Sequence, residues 1–102
     1  MSKRLAFLEQ LTSEGRADSF ARYGLAMEYR KLGRVEEALS AFEALRAADP
    51  SYLAMYLMAG QLLIEAQRPA EARPWLEQGV ELAKRVGNEQ ALGELTDALE
   101  DC

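Results

Sequence analysis

This chain of 102 residues contains no histidine, which leaves carboxylates, guanidinium and ammonium groups, hydroxyls and one thiol as the side chains through which it could do chemistry. The commonest general base and the commonest neutral metal ligand are therefore both missing. A nucleophile needs an activating partner, and Cys102, the last residue, has an acidic neighbour in Asp101 rather than a base or a cation. Paired carboxylates occur at Glu36–Glu37 and Glu100–Asp101, but adjacent residues on a helix point about 100° apart and do not converge on one substrate atom. There is no glycine-rich phosphate loop and no calcium-loop spacing. The inventory points to a chain that is not an enzyme and needs no cofactor or metal.

Charge narrows the partners. The formal net charge of −5 is unevenly spread: residues 1–51 carry eight basic and eight acidic side chains, residues 52–102 four and nine. The excess can be placed in residues 87–102, where Glu89, Glu94, Asp97, Glu100 and Asp101 stand with no cation among them. Near a helix C-terminus, Glu100 and Asp101 oppose the helix dipole, so the tail is expected to fray. Nucleic-acid binding rests on neutralising phosphates, and its only support is the cluster Arg22, Arg30, Lys31 and Arg34. That cluster reads as a solvated helix face. RNA binding through Arg22, Arg30 and Lys31 is the weakest of the alternatives, since no ladder of stacking aromatics accompanies them.

These side chains must be carried on helices. β-Branched residues are few and no segment alternates for long. Breakers cut the chain into six helical segments, 2–14, 18–32, 35–48, 52–66, 69–85 and 88–100, separated by Gly15, Gly33, Asp49–Pro50, Arg68–Pro69 and Gly87. Gly33 suits the left-handed position that closes a helix, and Pro69 suits the first turn of the next. Pro74 falls inside the fifth segment and predicts a slight kink or an irregular first turn. The apolar run LAMYLMAGQLLI, residues 53–64, is too short for a membrane span, which takes about 20 residues. Nothing at the start of the chain resembles a signal peptide. No membrane partner and a cytoplasmic location are expected.

Loops this short make consecutive helices antiparallel hairpins. Sliding the chain by 34 residues aligns residues of similar size: Leu25–Ala26 with Ala59–Gly60, Tyr29 with Leu63, Phe42 with Leu76. It also aligns identical residues, Arg34 with Arg68, Glu37 with Glu71, Ala38 with Ala72 and Glu43 with Glu77. Small residues recur where helices cross closely and large ones where they fill the space between. On these residues the sequence resembles the tetratricopeptide repeat family, with Leu25, Ala26, Tyr29, Gly33, Ala38, Phe42 and Pro50 in the first copy and Tyr56, Gly60, Leu63, Ala72 and Leu76 in the second. It departs from the pattern at Arg22, Ala26 and Lys84. The resemblance implies an all-α fold, a right-handed superhelical stack of antiparallel helix hairpins with about six helices. A single domain 1–102 is expected, with an N-terminal capping helix at 2–14, repeats at 19–52 and 53–86, and a C-terminal capping helix at 87–102.

In that family the inner face, lined by the first helix of each repeat, receives a partner peptide. By the same phase, Phe20, Tyr23, Met27, Arg30 and Lys31 belong to this face from the first repeat. Ala54, Leu57, Met58, Gln61 and Glu65 belong to it from the second, and Gln90, Glu94 and Asp97 from the truncated third. Phe20, Tyr23 and Leu57 are equally readable as core, and Arg30 and Lys31 as complements to a helix dipole. Taken together, the face would be basic at one end, apolar with adaptable methionines in the middle and acidic at the other. A branch of the family that grips a C-terminal carboxylate with lysine and asparagine is not implied, because Tyr23, Met27 and Met58 stand where those groups are expected. The expected role is capture of a protein or peptide segment, or, alternatively, homodimerisation through the same groove.

Overall fold

The computed structural model describes residues 3–102. Six helices are found there and no strand: α1 Lys3–Ser13, α2 Ser19–Lys31, α3 Val35–Ala48, α4 Leu53–Glu65, α5 Pro69–Val86 and α6 Glu89–Leu99. They match the six expected segments to within a few residues, and the expected start of the first at Ser2 lies outside the described residues.

The ends follow from local chemistry. The Asp18 carboxylate accepts a hydrogen bond from the Ala21 N–H at 2.8 Å and opens α2, and the Asn88 side chain accepts from Ala91 at 3.0 Å and opens α6. Helices α3 and α5 begin differently. Arg34 and Arg68, at the N-cap positions, make no cap bond but fork onto Glu37 and Glu71 three residues on. Each pair places a carboxylate against the positive end of its helix. The Glu71 carboxyl is held below its ordinary range by the Arg68 guanidinium, and Glu37 raises the Arg34 guanidinium above its own.

Four helices close alike. Gly15, Gly33, Gln67 and Gly87 take positive φ, and the next residue's N–H reaches back five residues, Arg16 to Leu11, Arg34 to Tyr29, Arg68 to Leu63 and Asn88 to Ala83. This satisfies carbonyls that the helix itself leaves open. Pro69 occupies the first turn of α5, and the helix runs uninterrupted past Pro74. Pro74 is exposed, and so is Ala70, whose carbonyl loses the bond Pro74 lacks, so solvent can take the donor's place. After Leu99 the chain winds on in tight turns, with Glu100, Asp101 and Cys102 donating three residues back. The Arg73 guanidinium donates to the Cys102 carbonyl.

The chain forms two compact units that meet at the Asp49–Pro50 breaker, one up to Pro50 and one from Ser51. In the first, α2 packs on both α1 and α3. Leu5 and Leu8 of α1, Leu25, Ala26 and Tyr29 of α2, and Ala38, Phe42 and Leu45 of α3 are buried there. Burial of each large side chain contributes about 1.5–3 kcal/mol. Ser19 Oγ donates to Asp49 at 2.8 Å and ties the start of α2 to the end of α3. Tyr29 donates its hydroxyl to Glu9 at 2.5 Å, and the Arg34 guanidinium lies 4.9 Å from the centre of its ring. One tyrosine thus joins α1, α2 and the start of α3.

In the second unit α5 packs on α4 and α6, and α4 also touches α6. Met55, Tyr56, Ala59, Leu62 and Leu63 of α4 meet Ala72, Trp75, Leu76, Leu82 and Ala83 of α5, with Leu95 and Ala98 closing from α6. Glycines set the closest approaches. A Cβ on Gly60 would lie 2.6 Å from Leu76 Cγ, and one on Gly79 would lie 2.7 Å from both Leu95 and Tyr56. The expectation that small residues mark the helix crossings is met at Ala26, Ala38, Ala59 and Ala72, none of which is exposed. Among the described residues no helix is long and apolar enough to cross a membrane.

Candidate interaction site

Each helix that packs on one side leaves another side over, and the sequence decides what is left there. In the first unit α2 buries Gly24, Leu25, Ala26 and Tyr29. Phe20, Tyr23, Met27 and Arg30 recur at three- and four-residue spacing along one stripe of that helix. Phe20 is 70% exposed, Tyr23, Met27 and Arg30 are half-buried, and Lys31 is exposed. Tyr23 meets Phe42 edge-on at 6.4 Å between ring centres, which fixes its inner edge while leaving the rest of the ring accessible.

In the second unit α4 and α6 are each antiparallel to α5 and so run parallel to each other. Between them lie two adjoining clefts. The first, of about 330 Å³, is lined by Leu53, Ala54, Leu57, Met58, Asn88, Ala91, Glu94 and Leu95. The second, of about 520 Å³, is lined by Leu57, Gln61, Ile64, Glu65, Glu94, Asp97, Ala98 and Asp101. Leu57 and Glu94 belong to both, so the two form one trough along the helix pair. Its character changes along its length. Around the helix N-termini it is mainly apolar, with Asn88 and Glu94 the polar side chains, and towards the C-termini it presents Glu65, Glu94, Asp97 and Asp101 with no cation in the lining.

The trough brings together Ala54, Leu57, Met58, Gln61, Glu65, Glu94 and Asp97 of the residues singled out in the sequence. Gln90 is exposed on α6 and lines neither cleft. Sequence reasoning missed Leu53, Ile64, Asn88, Ala91, Leu95, Ala98 and Asp101. Asp101 was legible, since it follows Asp97 by four residues and so shares its face. Leu95 and Ala98 are core residues whose edges show in the trough, and no periodicity separates that from full burial.

Among the described residues no three acidic or thiol side chains are grouped to hold a metal ion. What the arrangement offers is a strip of apolar surface with a charged end, suited to holding a chain segment.

Comparison with known proteins bears on the family and the fold. The family described as Tetratricopeptide repeat matches residues 23–85. The crystal structure of a tetratricopeptide repeat domain protein from Salinibacter ruber is 38% identical over 80% of this chain and 92% of its own, with a TM-score of 0.73. A solution structure of a tetratricopeptide repeat domain protein from the same organism gives 38% identity over 80% of this chain and 83% of its own, at a TM-score of 0.74. The solution structure of a Bordetella parapertussis protein, 26% identical, matches 98% of this chain and 87% of its own at 0.82. No curated protein matches the sequence.

Proposed function

The chain belongs to the tetratricopeptide repeat family, and from that premise we propose that it is a non-catalytic interaction module that captures a peptide or protein segment on the open faces of its repeat helices. Modules of this family generally mediate contacts between proteins. The observation that carries the reading is the α4/α6 trough, in which Leu57 and Met58 remain half-exposed beside the buried Met55, Tyr56 and Ala59 of the same helix. The stripe of Phe20, Tyr23 and Met27 on α2 offers a second apolar strip, ending on Arg30 and Lys31. Apolar anchors supply affinity and the charges at the rim supply register and selectivity.

Leu57→Asp tests this. It puts a charge in the middle of the trough, where Leu57 is only half-buried, so the helices should persist by circular dichroism while segment binding is lost. Binding that survives the substitution overturns the trough as the site.

A second reading, homodimerisation through the same surfaces, is favoured by the exposure of Phe20, a large apolar side chain on the α2 stripe. Light scattering after gel filtration decides it. A mass near 11.4 kDa at tens of micromolar overturns the dimer, and twice that mass supports it.

A further inference from the structure

We propose that the occupant of the α4/α6 trough is a cationic protein segment, with arginine or lysine side chains at the Glu65–Asp101 end and an apolar side chain against Leu53 and Leu57. This names the partner's chemistry for the interaction reading above and rests on it.

The first support is charge reversal between equivalent helices. In the 34-residue register Tyr23 corresponds to Leu57, Met27 to Gln61 and Lys31 to Glu65. The stripe on α2 therefore ends on a cation and the one on α4 on a carboxylate. The second support is the charge at the helix ends. Helices α2, α3 and α5 carry cations in their last turns, Arg30 and Lys31, Arg46, and Lys84 and Arg85, as the negative end of a helix favours. Helices α1, α4 and α6 carry none, and of these α4 ends on Glu65 and α6 has Asp97 in its last turn. The two are parallel, so both negative helix ends and four carboxylates face the same part of the trough. A bound cation would be attracted by these carboxylates and by both helix ends together.

The carboxylates are spread along the cleft, not grouped around a point, which favours cations carried on a chain over a single ion. From Leu53 to Glu65 the trough runs about 18 Å at the helical rise, the length of five or six extended residues. Arginine forks onto carboxylates with two parallel bonds, so it suits this end better than lysine.

The test uses the full chain and three fluorescein-labelled nonapeptides read by anisotropy. One has two leucines near one end and three arginines near the other, the second has glutamates for the arginines, and the third has serines for the leucines. The arginine peptide should bind, more weakly as salt rises, and each of the other two should bind at least about tenfold less tightly. The double variant Glu65→Gln/Asp97→Asn should weaken the arginine peptide about tenfold while the helices persist by circular dichroism. Glu81→Gln, at an exposed position of α5 that lines neither cleft, should leave binding within about twofold.

Equal binding of the glutamate and arginine peptides, both lost on Leu57→Asp, overturns the cationic partner and leaves the interaction reading standing. Loss of binding in Glu81→Gln equal to that in the double variant also overturns it, since the attraction is then diffuse. A dimer that dissociates on Asp97→Asn puts a second copy in the trough and overturns it too. If none of the three peptides binds, the cationic partner is overturned, and Leu57→Asp remains the test of the interaction reading.

Discussion

Gly33 and Gln67, one repeat length apart, take the same left-handed backbone conformation, at φ 73° and 61°. Each follows the last helical turn of its hairpin's first helix, and each donates back to that helix, Gly33 to Arg30 and Gln67 to Ile64. Only the first carries the residue for which this conformation is free of strain. Gln67→Gly should therefore raise stability, by a few tenths to about 1 kcal/mol after the added freedom of the unfolded chain is subtracted. Urea unfolding checks it, and Gly33→Gln should show the opposite sign.

Tyr29 makes the first unit sensitive to alkali. Burial, together with the Glu9 carboxylate that accepts its hydrogen bond, pushes its hydroxyl up to about 12 from 10.0. A pKa raised on folding gives stability that is complete below the unfolded value and is lost as pH rises through the folded one. The loss from this group is thus expected between about pH 10 and 12. Tyr29→Phe should lower stability at pH 8, where Glu9 loses its donor, and should flatten the decline above pH 10. Unfolding midpoints at pH 8, 10 and 11 for both proteins measure this.

Two glycines in helices should respond oppositely to alanine. A methyl group on Gly60 would overlap Leu76, which is fully buried and hemmed in, so Gly60→Ala should destabilise by about 1–3 kcal/mol. Gly93, on the exposed side of α6, has nothing within 4 Å of an added Cβ. Gly93→Ala should stabilise by about 0.5–1 kcal/mol through helix propensity alone. Thermal midpoints of the two variants should move apart.

The Asp18 cap offers a simpler check. Its carboxylate holds the Ala21 N–H at the start of α2, and Asp18→Ala should cost about 0.5–2 kcal/mol. Denaturant unfolding should show a shift in midpoint with an unchanged slope, while Asp18→Asn stays close to the parent.

The sequence by itself determined the helices and where they stop. Gly15, Gly33, Gly87 and Pro69 act through backbone geometry that needs no distant partner, and the 34-residue recurrence of Ala38 with Ala72 and Phe42 with Leu76 marked the packing faces. The repeated Arg34 with Glu37 and Arg68 with Glu71 were visible as identities, but their role in opening α3 and α5 needed the side-chain geometry. Only the tertiary structure decided which apolar residues stay partly open. Tyr56 and Leu57 are neighbours of similar size, yet Tyr56 is buried near Trp75 and Leu57 is left in the trough. Helical periodicity assigns a residue to a face, whereas burial depends on what another part of the chain brings against that face. The carboxylates behave the same way: Glu65 and Asp97 are far apart in sequence, and it is the parallel placement of α4 and α6 on α5 that turns their separate charges into one acidic end.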